Sequence, residues 1–280
     1  MACPDCFSGA IHEGTPGGVT TKLHGLDTYV AEPASGRAAQ GLVVIIPDAF
    51  GWDFVNIRLL ADTYAKKKDY RVYAPDFMNG NSAPLYMLDG LKAAMNPGKT
   101  WGETLKKPYH ILWMLYGFAS WVIPNRFSQA WPRVKPFMEK LRRNEGAHLP
   151  IGVAGFCWGG KYALTLGHNL KADGKPLVDA VFTGHPSLLA LPDDVDKLTA
   201  PASFAIGDSD NQVNLEQAEN IRQTIEAKAA GQKGEMRIYK GYGHGFAVRI
   251  DIKNDSPAGA AEAEDQCLAW FGKHFEQVKY

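Results

Sequence analysis

A cysteine framed by glycines carries the chemistry of this chain. Gly155-Phe156-Cys157-Trp158-Gly159-Gly160 has the G-x-nucleophile-x-G form of a nucleophile elbow, with cysteine where serine is usual. The spacing has a steric cause. A sharp turn from strand to helix leaves no room for a Cβ two residues to either side of the nucleophile, and glycines at 155 and 159 omit it. At a helix N-terminus, free N–H groups and the positive end of the dipole favour the thiolate, the reactive form. Two further segments complete a set. Gly207-Asp208-Ser209-Asp210 follows an apolar strand-like run, and Gly241-Tyr242-Gly243-His244-Gly245-Phe246 follows the last expected strand. Nucleophile, acid and base in this order predict a Cys157–His244–Asp210 triad, with His244 taking the thiol proton and Asp210 fixing the imidazole tautomer. Asp210 is the expected acid because it stands farther past the strand, whereas Asp208 is better placed to shape the turn. The reading requires a Cys157 side chain that is not sealed from solvent and a His244 within proton-transfer range of it.

Convergence of residues 157, 210 and 244 demands elements that end on one edge. Gly41–Ile46 is a short apolar, β-branched run closed by Pro47, as expected of a strand buried on both faces. Ile57, Leu60, Ala61, Tyr64 and Ala65 recur at helical spacing, with Lys66-Lys67-Lys68 at the C-terminal end. Strands follow at Tyr70–Ala74, Ile151–Phe156, Val178–Thr183, Ala202–Ile206 and Glu235–Tyr239, with one more around Leu26–Ala31. A helix runs through Lys161–Asn169. Asn214 and Gln217 form a capping box before Ala218, Ile221, Ile225 and Ala229, and Cys267, Leu268, Phe271 and Phe275 line a last helix. Such alternation predicts an α/β fold, a mostly parallel central sheet flanked by helices, as one domain over residues 1–280. Chemistry then gathers at the C-terminal strand ends. A Trp-, Tyr- and Met-rich stretch around 80–132 breaks the rhythm and predicts a helical excursion over that edge. Its aromatics, Trp113 among them, either fill the core or wall a substrate pocket.

Composition narrows the class. Thirty Lys+Arg against thirty Asp+Glu in 280 residues gives no net charge, which argues against a nucleic-acid binder or an anionic-membrane anchor. The greasiest run, Ile111–Ile123, is too short to span a bilayer. Four cysteines are too few for a disulfide scaffold, and the N-terminus lacks the pattern of a secretory signal. A soluble, cytoplasmic protein, monomer or homodimer, is expected, acting on a small molecule without metal or organic cofactor. Cys3-x-x-Cys6 has redox or zinc half-site spacing but no second pair, and His12 and His24 fit no metal motif. His185, in Gly184-His185-Pro186 after a strand, is either a pocket residue or a structural histidine.

Pro47-Asp48-Ala49-Phe50-Gly51, Ala74-Pro75-Asp76, the cysteine elbow, Gly207–Asp210 and His244-Gly245-Phe246 together resemble the dienelactone hydrolase family of α/β-hydrolases, from about Gly25 to Phe275. The opening Cys-Pro-Asp-Cys and His12-Glu13-Gly14-Thr15-Pro16 resemble its fungal branch. The resemblance implies hydrolysis of esters or lactones through a thioacyl-enzyme, with an oxyanion hole from the backbone N–H groups of Ala49 and Trp158. The expected substrate pocket is bordered by Asp48, Phe50, Phe246, His185 and Trp113. Asp48 stands where the family has glutamate, one methylene longer. Gly80 and Val248 stand where the family has the arginines that grip a substrate carboxylate, with Arg249 one step along. A neutral or apolar ester is therefore the expected substrate, rather than an acidic dienelactone. The rival readings are a non-catalytic binding protein on this fold and a thiol redox protein using Cys3 and Cys6.

Overall fold

The computed structural model describes residues 9–88, 101–250 and 256–280. Strand β1 (Val19–Leu23) and β2 (Leu26–Ala31) form a hairpin whose two-residue turn, His24-Gly25, has positive φ at both positions (49° and 96°). Such a turn matches the twist of paired strands. The exposed side chains of β1 hide it from a burial-based reading of the sequence, which finds only β2.

Next come β3 (Leu42–Ile46), α1 (Val55–Lys68) and β4 (Arg71–Pro75). All five residues of β3 are buried, as its unbroken apolar run requires. Helices α2 (Trp101–Val122) and α3 (Phe127–Arg143) make up the excursion. Then follow β5 (Ile151–Phe156), α4 (Trp158–Leu166), the small hairpin β6 (Lys171–Ala172) and β7 (Lys175–Pro176), and β8 (Ala180–Gly184). The remainder is α5 (Asp193–Asp196), β9 (Ala202–Gly207), α6 (Leu215–Glu226), β10 (Glu235–Tyr239), α7 (Phe246–Arg249) and α8 (Ala258–Phe275).

The main sheet has the order β1-β2-β4-β3-β5-β8-β9-β10. It is parallel from β4 to β10 and antiparallel at the β1 and β2 edge. One apolar cluster runs through it from Tyr29 to Phe275. The capping box of α6 is present, with Gln217 N–H donating to Asn214 Oδ1 at 2.9 Å and Asn214 N–H to Gln217 Oε1 at 3.0 Å. That helix stops at Glu226, short of Ala229. Helix α4 begins immediately after Cys157 and ends at Leu166, earlier than expected at both ends.

The excursion is tied to the strand ends beside the elbow. Asn125 Nδ2 donates to Asn81 O at 2.7 Å and to Trp121 O at 2.9 Å. Ala83 N–H donates to Ala49 O at 2.8 Å, joining the excursion's start to the loop after β3.

Candidate active site

Strand β5 delivers Cys157 onto a turn with φ 50° and ψ −112°, a conformation that few non-glycine residues adopt. The glycines on either side behave as their spacing predicts. A Cβ on Gly155 would lie 2.5 Å from Gly159 O, and one on Gly159 would lie 2.0 Å from Ile46 O. That absence of side chains lets Gly159 N–H donate to Pro47 O at 3.1 Å. The elbow and the β3 loop are thereby held together, so the residues proposed to supply oxyanion donors, Ala49 and Trp158, belong to adjoining turns. The Trp158 indole is oriented by Asn125 O, 2.8 Å from Nε1.

His244 and Asp210 come together. His244 Nδ1 lies 3.0 Å from Asp210 Oδ2 and 3.1 Å from Oδ1, with both side chains sealed from solvent. Gln212 N–H donates to Asp210 Oδ1 at 2.8 Å and holds the carboxylate in place. Asp208 instead accepts from Gly241 N–H at 2.9 Å, bracing the β9 loop against the loop carrying His244. Burial pulls the His244 imidazole down. The Cys157 sulfur outweighs it, together with the hydrogen bonds to Asp210 and Cys157 and the Asp210 charge, and the imidazole is pushed up to about 10.

The sulfur is not open. Cys157 is fully buried, contrary to the expectation of an accessible nucleophile. The segment after β8 folds over the elbow. Ser187 N–H donates to Cys157 O at 3.0 Å, and Ser187 Oγ lies 3.6 Å from the sulfur. Residues His185 and Leu188 of that segment hold positive φ, 39° and 60°. Sequence reasoning missed Ser187, although its place just past a strand end is the same signal that singled out Asp210.

Asp48 and Arg249 form a fully buried ion pair. Phe50 N–H also donates to Asp48 Oδ1 at 3.0 Å, and the guanidinium lies 5.4 Å from the Phe50 ring centre. Burial pushes the Asp48 carboxyl up against the pull of Arg249, and the nearby Cys157 adds to the rise. The backbone before Arg249 is held by Asn56, whose side-chain amide donates to Val248 O at 2.9 Å and to Ala10 O at 3.0 Å.

The other expected pocket residues divide. His185 is fully buried, edge-on to His244 at 5.1 Å, and neither ring nitrogen has a partner among the described residues. Burial, with His244 and Arg249 adding to it, pulls its imidazole well below the usual range, so it is neutral. Phe246 packs against Tyr239 at 5.0 Å and His185 at 6.0 Å. Trp113 does not join the site. The residue is 44 % exposed, and its ring stands against Tyr86, Tyr109 and Tyr116 on the outer face of α2. Neither reading of the excursion aromatics holds for it, because the inner face of α2 presents Gly117 and Trp121 instead.

Two cavities lie away from the triad. One of 370 Å³ is bordered by Leu191, Val195 and Ile221, and one of 220 Å³ by His168, Asp179 and His274. Cys3 and Cys6 lie outside the described residues. His12 Nε2 is 3.0 Å from Ile250 O, and His24 pairs with Glu145 at 2.8 Å. Among the described residues no group of three or more His, Cys, Asp or Glu is arranged to hold a metal, and no helix is long and apolar enough to cross a membrane.

The chain is similar to known proteins along nearly its whole length. Residues 26–275 match the model of the dienelactone hydrolase family. Hydrolase pyvD of Aspergillus violaceofuscus is 26% identical over 282 residues, covering 97% of this chain and 96% of that protein. Dienlactone hydrolase 1 of Gibberella moniliformis is 26% identical over 258 residues, covering 92% and 87%. The crystal structure of dienelactone hydrolase from Anabaena variabilis superposes with a TM-score of 0.59 at 14% identity, covering 94% of this chain and 100% of that one. An α/β-hydrolase sheet and a family match from β2 to the end of α8 lead to one conclusion: the chain belongs to the dienelactone hydrolase family and is a carboxylic ester hydrolase.

Proposed function

We propose that this protein cleaves ester or lactone bonds of small molecules through a Cys157–His244–Asp210 triad. The observation that carries the reading is His244 Nδ1 shared between both Asp210 oxygens, 3.0 and 3.1 Å away, with the Cys157 sulfur acting on the same imidazole. Asp210 fixes the tautomer and favours the imidazolium, which stabilises the thiolate. The thiolate attacks the carbonyl carbon. The backbone N–H groups of Ala49 and Trp158 receive the oxyanion, an interaction that lowers barriers by several kcal/mol, ~3 for a single donor. His244 gives its proton to the leaving alcohol, and a thioacyl-enzyme remains. Water, deprotonated by His244, attacks the thioester, and the acid leaves as the thiolate returns.

The buried Asp48–Arg249 pair favours neutral or apolar substrates over acidic dienelactones. Arg249 is already matched by a carboxylate of this chain, and Gly80 and Val248 bring no cation. A second carboxylate would have to displace Asp48. Because the sulfur is sealed, substrate entry requires the cover formed by the segment after β8 to open. A panel of neutral esters, lactones and carboxylated lactones on wild type and Cys157→Ala tests the proposal. Wild type should accumulate an acyl adduct on Cys157 by mass spectrometry, and Cys157→Ala should fold but not turn over. Substantial activity in that variant removes Cys157 from the mechanism, and a higher kcat/KM for carboxylated lactones removes the neutral-ester preference.

A further inference from the structure

Helix α2 presents an apolar face to solvent. Tyr86, Tyr109, Leu112, Trp113, Leu115 and Tyr116 are 41–67 % exposed. The rings of Tyr86, Tyr109 and Tyr116 each lie within 5.8–6.1 Å of Trp113, so the patch is continuous. Positions 109, 112, 113, 116, 120 and 123 recur at helical spacing and fall on one face. The opposite face is spent on the protein itself, with Gly117 and Trp121 buried. From Pro108 to Asn125 the sequence carries no Lys, Arg, Asp or Glu. A helix apolar on both sides is normally covered on both.

We propose that a second copy of this chain covers this face, the two α2 helices packing antiparallel about a two-fold axis. Area supports that occupant. With Leu85 and Ile123 at its ends, the patch offers roughly 100 Å² per large side chain and about 800 Å² in all, what each partner of a stable protein complex contributes. Charge supports it too. A helix that docks on anionic lipid carries Lys and Arg along its polar side, whereas this one has Lys only at 106 and 107, near its start and beside Glu103, no charged residue from 108 to 125, and belongs to a chain with no net charge. A foreign partner is usually selected by complementary charge, of which the patch has none. Isologous pairing needs only a surface that complements itself, and antiparallel helices also oppose their dipoles favourably. Pairing here lies beside the catalytic machinery. The helix leads into Asn125, whose carbonyl holds the Trp158 indole.

Sedimentation equilibrium of the full chain at tens of micromolar, repeated with phosphatidylserine vesicles, tests the proposal. Wild type should have twice the mass of one chain without vesicles. Leu112→Glu with Tyr116→Glu should weaken the dimer by about a hundredfold or more, since both sit at its centre. Leu112→Lys alone should weaken it also, by the opposite charge, and Leu215→Glu, exposed on α6, should not. Melting followed by circular dichroism shows that each variant folds. A monomeric wild type, a dimer that survives both replacements at 112, or a protein that stays monomeric and binds vesicles overturns the proposal.

Discussion

Burial favours the neutral form of His244, yet the Cys157 sulfur and Asp210 push its imidazole up to about 10. The consequence for stability has a definite sign. The folded imidazole holds its proton more tightly than the unfolded one, whose value is 6.5, so its contribution is complete below about 6.5 and is lost as pH rises through about 10. Melting temperatures of wild type and His244→Gln, compared across that range, should converge as pH increases. A constant gap would mean that His244 does not carry the charge. Asp48 and Arg249 pose a different problem, because each stabilises the other only while both are present. Asp48→Asn or Arg249→Met alone should cost about 3–5 kcal/mol in denaturant melts, and the double replacement should recover much of that loss. Additive losses would show that the pair is not coupled in the folded state.

Among the elements, the turn from β5 to α4 tolerates the least change. A methyl on Gly159 would sit 2.0 Å from Ile46 O, a backbone atom of the central strand that cannot yield without shifting the sheet. Gly159→Ala should therefore lower stability by about 2–4 kcal/mol and depress activity further by pushing Ala49 and Trp158 apart. Asn214→Ala, which removes the side-chain half of the α6 capping box, should cost only about 1 kcal/mol and leave activity intact. Chemical denaturation paired with ester turnover separates the two cases. Equal losses of stability would mean that the elbow can relax around a Cβ. Local structure of this kind was legible because its causes are local. A forbidden Cβ leaves glycine, an orphan N–H leaves asparagine, and a doubly buried strand leaves an unbroken apolar run such as Leu42–Ile46. Strand β1 escaped because exposed side chains leave no such mark.

At the scale of the whole molecule, the buried Cys157 sulfur can serve as the proposed nucleophile only when the segment after β8, whose Ser187 lies against it, moves. A thiol reagent should therefore label Cys157 at a rate that rises with reagent concentration and then levels off, as opening becomes limiting. Stopped-flow labelling in a Cys3→Ser/Cys6→Ser background reads that curve. A linear dependence up to the highest concentration would mean that the sulfur is reached without opening. The sequence alone determined which residues make up the proposed triad of Cys157, Asp210 and His244 and their order, the parallel strands that end beneath them, and the glycines that permit the elbow. These follow from neighbour sterics and periodicity, which act over a few residues. Tertiary structure decided the rest. It paired Asp48 with Arg249 across 201 residues, set a neutral His185 against His244, closed Ser187 over the sulfur and turned Trp113 outward. Each of these depends on which distant surfaces meet, and no local pattern encodes the far side of a contact.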